Sequence, residues 1–160
     1  MDGGIHEVPI PGVVGRLWLC GKHLIGPDPE GALRRTGSTH VVCLVQDHEL
    51  QDRYPDYARW LRESGRSTWF PIPDLSAPPL DTIEPLFVGV HDRLGSGESL
   101  IVHCAAGIGR AGTFASAMCV MSGMGVDDAV AHVRRHRPSA GPEAGSQRSV
   151  LDELHARLND

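Results

Sequence analysis

Two hydrophobic rhythms alternate along the chain: short β-branched runs, and longer stretches whose apolar residues share one helical face. Val13-Val14 and Leu17-Trp18-Leu19 predict early strands around a Gly15-Arg16 turn, and Val41 to Val45 predicts a central strand. Thr68-Trp69-Phe70 begins another that stops at Pro71, and Leu100 to His103 is the last. Pro29 to Arg35 predicts a short helix, with Asp28 as its N-cap and Pro29 at its first position. A second, Asp56 to Ser64, is closed by Gly65. In Asp81 to Leu94, the residues Ile83, Leu86, Phe87, Val90 and Leu94 share one face. There Asp81 and Glu84 are spaced as a capping pair, and Pro85 stays within the first turns. Arg110 to Ser122 predicts a helix with Phe114, Ala117, Met118 and Met121 turned inward. Val126 to His136 carries Asp127 and Asp128 near its positive end and Arg134 and Arg135 near its negative end. The last helix, Glu143 to Leu158, buries Val150, Leu151, Leu154 and Leu158.

Strands alternating with helices, followed by a helical C-terminal third, imply an α/β fold with a central, mostly parallel twisted sheet flanked by helices. The 160 residues suit one domain, 1–160, expected as a monomer. No apolar run approaches the ~18 residues of a membrane span. A net charge of −5 disfavours nucleic acid, whose phosphate backbone calls for a basic surface. Met1-Asp2-Gly3-Gly4 lacks the features of an export signal. Cys20, Cys43, Cys104 and Cys119 lie far apart without metal-ligand spacing, which fits a reducing, cytoplasmic setting and no zinc. Histidines such as His48, His91 and His136 show no ligand spacing either.

The informative segment is His103-Cys104-Ala105-Ala106-Gly107-Ile108-Gly109-Arg110. A buried strand ends in a cysteine, a glycine-bearing loop follows, and an arginine opens the next helix. Such a loop can turn its N–H groups inward around a phosphate dianion, and arginine adds a planar two-toothed grip. The helix's positive end, the inward amides and Arg110 would all favour the thiolate, which is the nucleophilic form of cysteine. Cys104 and Arg110 are therefore the candidate catalytic pair, with Ala105, Ala106, Gly107, Ile108 and Gly109 completing the substrate-binding loop. No metal or other cofactor is required.

These residues resemble the His-Cys-x5-Arg signature of the cysteine-based protein tyrosine phosphatase superfamily, and the short chain is most similar to its small dual-specificity branch. The resemblance implies a phosphatase acting through a cysteinyl-phosphate on phosphorylated protein. It extends to Phe70-Pro71-Ile72-Pro73-Asp74-Leu75-Ser76-Ala77-Pro78-Pro79, similar to the family's acid loop, which makes Asp74 the general acid. The resemblance also implies that His103 orders the loop and tunes the thiol; it cannot serve as a base for Cys104, since adjacent strand residues point to opposite faces. Thr113 matches a further position of the pattern. Gln147 is similar in placement to a glutamine that orients the hydrolytic water in some relatives, or is a solvated helix residue. Cys43 resembles cysteines that protect the nucleophile by disulfide formation, or is a small buried hydrophobe.

One departure stands out. The family usually places serine or threonine directly after the arginine, where its hydroxyl stabilises the departing thiolate. This chain has Ala111, as do phosphatases of regenerating liver, which implies slow turnover and build-up of the phosphocysteine. No added phosphotyrosine-recognition loop is evident, so the cleft should admit phosphoserine and phosphothreonine besides phosphotyrosine. The uncharged loop residues disfavour phosphoinositides. A phosphatase of small or lipid phosphates and a weakly active phosphopeptide-binding module are the competing readings.

Overall fold

A computed structural model describes residues 3–160; Met1 and Asp2, part of the stretch read above for export features, lie outside the described residues. Five strands, β1 (Ile5–Val8), β2 (Leu17–Gly21), β3 (His40–Cys43), β4 (Ser67–Trp69) and β5 (Leu100–Cys104), form one sheet in the order β1-β2-β5-β3-β4. Only β1 runs antiparallel to its neighbour; the other pairings are parallel. The helices are α1 (Lys22–Ile25), α2 (Pro29–Thr36), α3 (Pro55–Glu63), α4 (Leu80–Gly95), α5 (Gly109–Met121), α6 (Val126–His136) and α7 (Gly145–Leu158). A short 3-10 turn spans Asp47–Glu49. This is the expected α/β sandwich, a mostly parallel sheet flanked by helices.

The central strand β5 is buried along its whole length and delivers its C-terminal residue, Cys104, to the sheet edge where ligands gather in such folds. Helix α5 leaves from that point, packs on β5 and β2, and is enclosed by α4, α6 and α7. Residues on all its sides are therefore buried, as befits a helix apolar all round. Phe114 on α5 meets Phe87 on α4 edge to face, with ring centroids 5.0 Å apart. Among the described residues no helix is long and apolar enough to cross a membrane.

The local signals hold where their chemistry is local. Asp28 accepts a hydrogen bond from the Gly31 amide at 2.9 Å, and Gly65 is left-handed after α3. Several expectations are corrected. Val13-Val14 is no strand: Val14 is 81% exposed in a bend, because the Gly15 amide is drawn to the Leu94 carbonyl. The true edge strand is Ile5–Val8, too short and mixed in polarity to stand out. The strand expected through Val45 stops at Cys43, although Leu44 and Val45 remain buried. Asp81 and Glu84 do not cap α4, which starts at Leu80 after Pro79; both carboxylates pair with Arg157 of α7. Leu158 is 49% exposed, since α7 ends there beyond the reach of the core. Met121, at the last turn of α5, is half-buried.

Candidate active site

The loop from Ala105 to Ile108 is defined by where its carbonyls go. Ala105 O accepts from the Lys22 amide at 2.9 Å and Ile108 O from the Gly141 amide at 3.0 Å. Between them, Arg137 donates through Nε to Gly107 O at 2.8 Å and through Nη2 to Ala106 O at 2.9 Å. Four consecutive carbonyls are thus held from outside, which turns the peptide N–H groups to the other side, into a bowl. Among the described residues the amides of 106–110 donate to no other group. Two glycines make the curl possible. Gly107 has φ +75°, and a Cβ there would lie 2.5 Å from the Cys20 carbonyl; one on Gly21 would lie 2.6 Å from Ala105 O.

At the floor of this bowl Cys104 is 2% exposed, and its Sγ accepts from the Ala111 amide at 3.4 Å. Helix α5 begins with no side-chain cap and no acidic residue in its first turn, so its free amides and positive end face the sulfur uncontested.

Arg110 is buried, and its donors are shared out. The ends Nη1 and Nη2 grip the two oxygens of Glu49, each at 2.8 Å, and Nη1 also donates to Ile72 O at 2.8 Å. Nε has no partner among the described residues. The side-on edge, Nε–H with the remaining Nη2 hydrogen, thus carries no hydrogen bond, Nη2 having only a loose ion pair with Asp74 there: two parallel donors spaced for two oxygens of a phosphate. Burial works against the charges of this pair, but their mutual hydrogen bonding prevails. Glu49 lies below its ordinary carboxylate range, and Arg110 titrates above its usual value with further help from Cys104 and Asp74.

Asp74 lies beside the same guanidinium, with Oδ1 3.6 Å from Arg110 Nη2 and a side chain 70% exposed. That oxygen also accepts from the Leu75 amide at 3.0 Å, and Leu75 sits at φ +59°, an uncommon conformation for a branched residue. The carboxyl is thus presented to solvent at the rim, where a leaving group would depart. Gln147 is 1% exposed, which removes the solvated reading; its Oε1 accepts from the Glu143 amide at 2.7 Å and its Nε2 reaches Ser76 O at 3.4 Å. It braces the segment that carries Asp74. Thr113 is buried one helical turn past Arg110.

His103 is fully buried and bonded at both nitrogens, with Nδ1 3.1 Å from Cys104 O and Nε2 2.6 Å from the Tyr57 hydroxyl. A carbonyl can only accept, so Nδ1 carries the hydrogen and Nε2 accepts from Tyr57. Burial pushes this imidazole down to about 4, against a smaller opposite pull from the Cys104 carbonyl. His103 is therefore neutral at neutral pH and anchors the strand end from the face opposite the sulfur. Cys43 is registered with His103, so its side chain leaves the sheet on that other face and away from Cys104. Burial pushes the Cys43 and Cys119 thiols up to about 12. Both are thiols at neutral pH.

Cys104, Arg110, Asp74, His103, Gln147 and the loop residues thus meet at one sheet edge. Three further residues went unread in the sequence. Glu49, Tyr57 and Arg137 lie 61, 46 and 30 residues from the groups they hold. Their only sequence trace is a carboxylate in a turn after β3, a tyrosine on the inner face of a helix, and an arginine before a proline.

The PTP-SAK family model (Swiss Army Knife protein, DSP-PTPase phosphatase domain) matches residues 28–153. The chain belongs to this family, within the dual-specificity branch of the cysteine-based protein tyrosine phosphatases. The serine/threonine/tyrosine-interacting proteins of Mus musculus and Homo sapiens are each 28% identical over 118 residues. That match takes in 71% of this chain and 50% of theirs, so the chain spans about half the length of these curated relatives. Among solved structures, the active form of Tk-PTP is 28% identical with a TM-score of 0.73, covering 94% of this chain and 97% of its own. A kinase associated phosphatase whose catalytic-site cysteine is replaced by serine shares the fold with a TM-score of 0.81 at 19% identity, covering 99% and 97%.

Proposed function

We propose that this chain, as one catalytic domain, hydrolyses phosphate monoesters on protein tyrosine, with serine and threonine also admitted, through a phosphocysteine intermediate. One observation carries the reading: an amide-lined bowl over Cys104 Sγ, beside a buried arginine whose Nε has no partner among the described residues.

The thiolate of Cys104 attacks phosphorus, forming an S–P bond as the P–O bond to the substrate breaks. Asp74 gives its proton to the departing oxygen. The inward amides and Arg110 hold the equatorial oxygens while charge redistributes, with no reorganisation needed at that moment. Water then attacks the phosphocysteine and yields its proton to Asp74, and the thiolate departs. Gln147, braced beside the acid loop, is suited to orient that water. At the position of the family's assisting hydroxyl this chain offers only the Ala111 methyl. The second step is therefore the slow one.

Metal-free hydrolysis of an aryl phosphate tests the reading. Cys104→Ser and Arg110→Ala abolish turnover, whereas Asp74→Ala spares more activity on a good leaving group than on a poor one. Full activity in Cys104→Ser sinks the covalent route. A second reading, phosphopeptide binding with little turnover, is favoured by Ala111 and by relatives named as interacting proteins. It requires the native protein to retain a phosphopeptide that it does not cleave.

A further inference from the structure

Beneath the acid loop lies a small cavity, about 10 Å³ of space for a water's centre. Phe87, Phe114 and Val150 form its apolar wall, and Ile72 and Ser76 close it on the loop side. Thr113 and Arg110 line it from α5, and the Arg110 Nε likewise has no partner among the described residues. A helical threonine ordinarily bonds its hydroxyl back to the carbonyl one turn earlier. Thr36 does so to Ala32 O at 2.9 Å, and Ser116 to Gly112 O at 2.8 Å. The Thr113 hydroxyl makes no such bond and, though fully buried, has no partner among the described residues. A buried hydroxyl is costly unless something polar meets it.

The space matches a single water molecule, which needs roughly 10–15 Å³ by this measure and two to four polar partners. Thr113 supplies one. The loop side offers the Ile72 carbonyl, which carries one hydrogen bond from Arg110 and has a second lone pair, and the polar groups of Ser76. We infer that this cavity binds one structural water, bridging the Thr113 hydroxyl to the 72–76 segment that carries Asp74, and that Thr113 is thereby a positioning residue for the acid loop. Gln147 secures the same loop at Ser76 from α7, so the water would be its second tether, from α5. The bound water is a matter of structure alone; its kinetic consequence rests on the phosphatase reading.

High-resolution crystal structures of the native protein, Thr113→Val and Thr113→Ser test the site. The native and serine forms should show one ordered water within hydrogen-bonding distance of the residue-113 hydroxyl, and the isosteric valine form none. Kinetics on two aryl phosphates, one with a good and one with a poor leaving group, test the role. Loosening the acid loop should lower kcat for the poor leaving group about fivefold to tenfold in Thr113→Val, and less than about twofold for the good one, with Thr113→Ser restoring both. A dry cavity in the native crystal overturns the inference, and equal losses on both substrates overturn the positioning role. If the native protein hydrolyses neither substrate, the phosphatase reading fails while the crystals still decide the water.

Discussion

Glu49 holds the Arg110 guanidinium end-on with both carboxylate oxygens, each at 2.8 Å, and so leaves Nε on its other edge without a partner among the described residues. One carboxylate thereby fixes the orientation of the residue to which the proposed reaction assigns oxyanion binding. Neither charge is well solvated, so each relies on the other.

Removing that partner should be felt twice. Glu49→Ala leaves a buried guanidinium unpaired and should destabilise the fold on the order of 3 kcal/mol in urea titrations. Turnover of an aryl phosphate should fall about tenfold to a hundredfold, in the manner of a lost supporting contact. Glu49→Gln, which keeps one acceptor, should fall between native and alanine in both measurements.

Arg137 never reaches the bowl's interior, yet its loss should disable it. Arg137→Met removes the donors to Ala106 O and Gly107 O, and each unsatisfied buried carbonyl costs about 1–3 kcal/mol. The loop should relax, and affinity for inorganic phosphate or tungstate, followed by calorimetry, should drop more than about tenfold. Unchanged oxyanion affinity would show that the cradle stands without this clamp.

Ala111→Ser supplies a hydroxyl where the departing sulfur lacks one. Rapid-quench kinetics of the native protein should show a burst of released alcohol followed by a slow steady state, the mark of accumulating phosphocysteine. In the variant the steady state should rise about threefold to tenfold while the burst rate stays put. An unaltered steady state would place the slow step elsewhere.

Stability should fall as pH drops from about 6.5 toward about 4, the lowered value of His103 in the folded protein. In that window the unfolded chain binds a proton that the buried imidazole refuses, so unfolding gains ground as acid is added. The full effect is on the order of 3 kcal/mol, reached below the folded value. Glu49 acts in the same direction: its depressed pKa contributes stability above the ordinary carboxylate range and loses it as pH falls through the lowered value. Urea midpoints at several pH values check this, and His103→Gln should flatten the upper part of the profile.

What the sequence disclosed follows the range of each interaction. The run Leu100–Val102, the glycine loop and the apolar helix behind it are local patterns, and all were readable. The place of Asp74 beside Arg110 was legible through the resemblance of its proline-flanked segment to the family's acid loop, since such a setting alone is ordinary turn chemistry. Ile5–Val8 escaped because an edge strand of four residues carries no strong period. Glu49, Tyr57 and Arg137 escaped for a deeper reason. Their roles exist only once β3, α3 and the segment after α6 have converged on β5, and no spacing along the chain encodes that meeting. Asp81 and Glu84 misled in the opposite sense: a spacing that suits a cap instead serves Arg157 across the fold.

The outward pull on Ala105, Ala106, Gly107 and Ile108 carries a last consequence. In the proposed reaction the grip on the phosphate belongs to the main chain and Arg110, so the side chains of Ala105, Ala106 and Ile108 are spared from it. Ala106, the exposed one, should be exchangeable to alter which molecules dock with the proposed machinery left standing, whereas Ala105 and Ile108 also pack against the core. Selectivity in such a protein is free to drift, or to be redesigned, at the rim while its chemistry is inherited unchanged.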